Sequence, residues 1–130
     1  MIAGDTVIAF NKTGKYVGEI TGERDGAYTV RILAVLKHPM QGDLHNPKQT
    51  DVAFFHERKA LAYREQANIP AQMVKPYSEE IPDYRESLMQ AVNSLLQELG
   101  QEDTAFNAKS IEALRSIMKE YSLMYDIRFE

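Results

Sequence analysis

The stretch that decides the fold is Ile32–Tyr77, ILAVLKHPMQGDLHNPKQTDVAFFHERKALAYREQANIPAQMVKPY. It contains all three histidines, His38, His45 and His56, and four of the five prolines, Pro39, Pro47, Pro70 and Pro76. Ile32 to Leu36 is a run of consecutive apolar residues bounded by turn formers, which predicts a buried strand. Val52 to Phe55 predicts another. Between them, Lys37 to Asp51 carries Pro39, Gly42, Asp43, Asn46 and Pro47, which interrupt helix and strand alike. Ala60 to Gln66 then runs into Ile69-Pro70-Ala71-Gln72-Met73-Val74-Lys75-Pro76.

That last piece looks like the end of an SH3-like barrel, where a strand stops at a proline, one turn of 3₁₀ helix follows and a short strand closes the barrel. The residues upstream fit. Gly4 to Phe10 opens with a turn and becomes apolar, predicting a first strand. Asn11-Lys12-Thr13-Gly14 has hairpin composition, with Gly14 free to take positive φ. Tyr16 to Ile20 predicts a second strand, with Tyr16, Gly18 and Ile20 on one face and Gly18 marking a bulge or bend. Arg24-Asp25-Gly26 predicts a turn. Tyr28 to Leu36 is a long third strand that begins by alternating and becomes continuously apolar, as a strand covered on both faces does.

After Tyr77 the pattern changes. Ser78-Glu79-Glu80-Ile81-Pro82 reads as a linker. Asp83 is placed to cap a helix, with Glu86 in capping-box register. Tyr84, Leu88, Val92, Leu95 and Leu99, with Ala91 and Leu96 beside them, form an amphipathic stripe that Gly100 terminates. Asp103 or Thr104 caps a second helix, whose stripe is Ile111, Leu114, Met118, Tyr121 and Tyr125, widened by Ile117 and Met124. Two such helices joined by a short loop lie antiparallel, and their apolar area is too small to stand alone. The expected fold is mainly β plus α: an SH3-like β-barrel over 1–77, and over 78–130 a linker and a two-helix hairpin packed on it.

Composition restricts the chemistry. The chain has 130 residues, 44% hydrophobic and 26% charged, enough for one packed domain or a small domain with an appendage. There is no cysteine, hence no disulfide, thiolate metal site or thiol nucleophile. No apolar run is long enough for a membrane span, and Met1 to Asp5 lacks the basic and apolar regions of a signal peptide. Without a cysteine, no lipid anchor of the bacterial type is expected. Net charge is −4 and uneven: ten Lys+Arg against eight Asp+Glu up to Tyr77, then five against eleven. An acidic chain disfavours nonspecific nucleic-acid binding.

No catalytic set assembles. His38, His45 and His56, with Asp43, Asp51 and Glu57 near them, have a spacing unlike any standard zinc arrangement, and His56-Glu57-Arg58-Lys59-Ala60 fails the HExxH pattern. The serines Ser78, Ser87, Ser94, Ser110, Ser116 and Ser122 lie in the linker and helices, outside any nucleophile elbow. No glycine-rich phosphate loop is present. Nothing marks a histidine as a phosphoryl acceptor. Tyr16, Tyr28, Phe54, Phe55 and Tyr63 alternate with basic residues in the manner of an RNA platform, but strands also select aromatics for packing. The alternative functions are thus an SH3-like nucleic-acid-binding module and a metal-dependent enzyme using the histidine-rich loop.

The motifs LKHPMQGDLHNP, DVAFFHERKALAYREQANIP and MVKPY resemble the kinase-associated protein B family of spore-forming bacilli. The resemblance covers most of the chain and is strongest from Gly14 to Tyr84. It implies a non-enzymatic accessory protein supporting a sensor histidine kinase in the sporulation phosphorelay. The implied setting is cytoplasmic, peripheral to the membrane through the kinase, without stable membrane insertion. No cofactor, metal, catalytic residue or nucleic-acid partner is expected. The long 37–58 loop is the expected contact surface, with Asp43, Leu44, His45, Asn46, Phe55, His56, Glu57 and Arg58 as candidate partner-binding residues.

Overall fold

The computed structural model describes residues 1–42 and 55–129. The strands β1 (Thr6–Asn11), β2 (Gly14–Arg24) and β3 (Ala27–Lys37) form an antiparallel meander. β4 (Gln66–Pro70) pairs with β3, and a 3₁₀ turn over Ala71–Met73 leads into β5 (Val74–Pro76), which pairs with β1. The resulting five-stranded order is β4-β3-β2-β1-β5. The two edge strands are consecutive in sequence and joined by the 3₁₀ turn, so the sheet coils back on itself. This is the SH3-like arrangement, with its edges connected by the turn rather than by a continuous ladder. Pro70 and Pro76 sit on these edge strands, where the missing N–H is harmless.

Two hairpins set the meander. Lys12 and Thr13 both have positive φ (47° and 71°), as do Asp25 and Gly26 (53° and 77°), the geometry whose twist matches a two-residue hairpin. Gly14, though free to, does not take positive φ. It is needed for space instead: a Cβ there would lie 2.6 Å from the Tyr16 hydroxyl oxygen. Gly18 sits at a register shift, as expected, and a Cβ on it would collide with Val30 and lie 2.7 Å from the Arg31 carbonyl oxygen. Gly18 pairs with Ile32, Val17 with Ala34, Tyr16 with Val35 and Lys15 with Lys37, so Leu33 and Leu36 are extra residues on β3. Past the first of these bulges Ala34 and Val35 are both buried, which accounts for the continuous apolar run.

The helices α1 (Tyr84–Leu99) and α2 (Ala105–Tyr125) follow. The Asp83 carboxylate accepts the Glu86 N–H at 3.1 Å, and the Thr104 hydroxyl accepts the Asn107 N–H at 3.1 Å. Gly100 ends α1 as expected, with φ −76°. Helix α1 buries Tyr84, Leu88, Ala91, Val92, Leu95 and Leu99. Helix α2 buries Phe106, Ser110 and Ala113 besides Leu114, Ile117, Met118 and Tyr121. Met124, assigned to the apolar stripe above, is 57% exposed. It lies off the α2 face on which Tyr125 packs against Tyr84 and Tyr121.

One hydrophobic cluster joins Val7, Tyr16, Ile20, Val30, Ile32 and Val35 of the sheet to Leu88, Val92, Leu114 and Ile117 of the helices. Ser87 reinforces the join. Its hydroxyl donates to the Tyr84 carbonyl at 2.9 Å and accepts the Val35 N–H at 3.0 Å, satisfying a β3 backbone group. Leu88, fully buried at 0% exposure, is the test of this shared core. Leu88→Ala is expected to cost about 2–5 kcal/mol. Chemical denaturation should show the sheet and helix signals moving together. A loss confined to the helix signal would mean that the two layers unfold separately.

Candidate functional site

The predicted loop leaves β3 at Lys37 and returns through an extended segment, 55–62, that belongs to no helix or strand. Its two ends are tied together. Gly42 N–H donates to the His56 carbonyl at 2.9 Å. The buried Gln41 side chain acts as a backbone substitute: its Oε1 accepts the Arg58 N–H at 2.8 Å and its Nε2 donates to the Arg58 carbonyl at 2.9 Å. The Arg58 Nε in turn donates to the Gly42 carbonyl at 3.2 Å. Phe55 packs on Phe106 of α2, with ring centroids 5.9 Å apart, and the Lys109 ammonium lies 5.2 Å from the Phe55 ring centre. Gly42 has φ +101°, and a Cβ on it would lie 3.2 Å from the Phe55 ring. This neck therefore requires glycine twice over, for its backbone and for the aromatic contact.

Below the neck, tyrosines from three elements hold the segment. Tyr121 of α2 accepts the Ala60 N–H at 2.8 Å. Tyr16 of β2 accepts the Leu61 N–H at 3.2 Å, and Tyr84 of α1 donates to the Leu61 carbonyl at 2.5 Å. His38 completes the set at 1% exposure. The Pro39 carbonyl, 2.9 Å from Nδ1, can only accept, so Nδ1 carries the proton. Nε2 is then an acceptor, taking the Tyr121 O–H at 2.8 Å. The chain Ala60 N–H, Tyr121 O–H, His38, Pro39 carbonyl runs in one direction with each of these groups satisfied.

Burial sets the protonation states. It pulls His38 down to about 4, outweighing the Pro39 carbonyl, which favours the cation. It pushes Tyr16 up to about 12, partly offset by the Leu61 N–H, with Glu65 adding a further upward push. Tyr84 and Tyr121 are raised too, burial again being the largest cause. These side chains are neutral at ordinary pH. They hold backbone, and none presents an activated base or nucleophile.

The candidate partner-binding residues divide accordingly. Asp43, Leu44, His45 and Asn46 lie outside the described residues, as do Phe54 and most of the strand expected over Val52 to Phe55. Phe55 itself is in no strand and anchors the neck on α2. Arg58 is half-buried in the neck, whereas His56 and Glu57 are exposed. Glu57 and Arg58 border a cleft of ≈ 230 Å³ shared with Lys12, Pro39 and Leu61. Of the aromatics considered as an RNA platform, Tyr16 is core, Tyr28 packs on the core and Tyr63 tilts against Tyr84. Among the described residues no group of three His, Cys, Asp or Glu side chains converges as a metal site, and no helix is long and apolar enough to cross a membrane.

Residues 11–122 match the family described as KapB, Kinase associated protein B. The chain belongs to the kinase-associated protein B family. It is 53% identical over 118 residues to a protein of Bacillus subtilis (strain 168) named "Kinase-associated lipoprotein B", covering 91% of this chain and 92% of that one. The crystal structure of kinase-associated protein B from Bacillus cereus superposes with a TM-score of 0.83 at 47% identity, covering 94% of this chain and 98% of that one. In this chain of the family, Gln41, Tyr84 and Tyr121 were missed as loop-holding residues. Tyr84 and Tyr121 read as helix stripe, and Gln41 carried no signal beyond its place beside Gly42.

The neutral His38 makes stability depend on pH. The unfolded histidine titrates near its ordinary 6.5 and the folded one near about 4, so between these values the unfolded chain binds more protons. Stability from this group is complete above 6.5 and is lost progressively as pH falls towards about 4. Between about pH 7 and about pH 5 the loss is expected to be about 2 kcal/mol. Urea titrations of the parent and a His38→Gln variant measure it. Equal slopes with pH in the two proteins would show that His38 is not the titrating group.

Proposed function

We propose that this chain is a non-enzymatic accessory protein that supports activation of a sensor histidine kinase in the sporulation phosphorelay. It acts in the cytoplasm and meets the membrane through that kinase. Family membership over residues 11–122 carries the reading, together with relatives whose names associate them with a kinase. The geometry agrees with binding rather than chemistry, because the buried histidine and tyrosines of the neck are engaged in holding the 55–62 segment.

The contact surface in this reading is the 37–58 loop. Asp43, Leu44, His45 and Asn46 supply part of it, and His56, Glu57 and Arg58 flank its neck. A clamped base suits the role, since fixing both ends of a binding loop lowers the ordering cost on association. Glu57 is exposed, so Glu57→Arg should change stability by less than about 0.5 kcal/mol. It is expected to reduce co-purification with the kinase from sporulating cells and to lower phosphorelay output at equal protein abundance. Unchanged co-purification and output would place the contact away from this loop.

A further inference from the structure

The outward face of the sheet carries like charges in register. Lys15 of β2 and Lys37 of β3 are directly paired across the ladder, an arrangement that destabilises an antiparallel sheet unless something compensates it. Lys15 is also the partner of Phe10, and Lys75 of β5 is the partner of Ile8, which shares the Phe10 face. The Lys15 and Lys75 ammonium groups lie 5.7 Å and 6.0 Å from the centre of the Phe10 ring. Among the described residues none of Lys15, Lys37 and Lys75 forms an ion pair. Glu19, on the same face, is already bound to Arg31 at 2.8 Å. A chain of net charge −4 thus concentrates unpaired cations on one side of four adjacent strands.

We propose that this face, Lys15, Lys37 and Lys75 around Phe10 and Ile8, docks reversibly on an anionic phospholipid surface. The shape favours lipid over nucleic acid. The cations stand on the broad face of a sheet, which suits a two-dimensional array of headgroups. The one central aromatic is flanked by two ammonium groups and is not free to stack on a base. Ile8 and Phe10 are half-buried, leaving apolar edges that fit the headgroup boundary. The acidic residues beyond Tyr77 give the molecule a dipolar charge distribution that orients the lysine face toward negative charge. Each lysine near such a surface strengthens partitioning about fivefold, and salt weakens it. Lys15 of β2 and Lys75 of β5 lie outside the 37–58 loop assigned to the kinase, and the test on them needs no kinase.

The purified chain should co-sediment with phosphatidylcholine vesicles containing phosphatidylglycerol, not with phosphatidylcholine alone, and added salt should release it. Lys15→Glu replaces a Lys–Lys pair by a Glu–Lys pair, so the variant is expected to melt at or above the parent temperature. Its binding to the anionic vesicles should nevertheless fall by about tenfold or more. A Lys75→Glu variant, away from that pair, should show the same loss. Absence of binding to anionic vesicles, or binding unaffected by both substitutions, overturns the proposal. Tighter binding of a single-stranded oligonucleotide or of polyglutamate than of the vesicles, lost in the same variants, also overturns it and reassigns the face.

Discussion

The hydrogen bonds at Ala60 and Leu61 are the constraint on which the arrangement depends. A segment with no ladder of its own crosses between the sheet and the helices, and its buried N–H and C=O groups need partners. Tyr16, Tyr84 and Tyr121 provide them from β2, α1 and α2. Each interaction is modest in net terms, but leaving such a group buried and unpaired costs about 1–3 kcal/mol. Because the three hydroxyls come from three elements, the segment fixes how the helices sit on the sheet as much as they fix the segment.

The neck extends the same logic outward. His38 orients Tyr121, and Gln41 mimics a strand for Arg58, so the chain leaving β3 and the chain returning to β4 run beside each other without forming a sheet. Phe55 on Phe106 adds an apolar fastener where the polar one ends. The loop between them is thereby presented from a rigid base built on all layers of the fold. This is a physical reason for a long insertion in a barrel that otherwise turns through two-residue hairpins.

What the sequence made legible was local. The closing Ile69-Pro70 strand, the 3₁₀ turn, the Gly18 bulge and the Asp83 cap each depend on neighbours in the chain, and each is present. Gly100 stops α1 as its place after the stripe indicates, whereas glycine composition did not show that Gly14 is needed for room and not for positive φ. Met124 was misplaced because a helical stripe widens or narrows with the partner it meets. The neck was not legible at all. The tyrosine hydroxyls reach backbone 45, 23 and 61 residues away, and a periodic pattern shows only that their rings are apolar. The lysine face escaped notice for a related reason. Lys15, Lys37 and Lys75 are scattered in sequence and meet only through strand register.

The family is named for association with a kinase, and the structure supplies a braced loop base and a cationic sheet face as its distinctive surfaces. The loop base depends on the 55–62 segment being part of the folded core and not a surface strap. Native-state amide hydrogen exchange at Ala60 and Leu61 tests this most directly. Their N–H groups should exchange through openings comparable in free energy to those of Val30 and Ile32 in the sheet core, because breaking them requires the layers to part. Exchange of Ala60 and Leu61 at near-unprotected rates, while Val30 and Ile32 stay protected, would contradict the account.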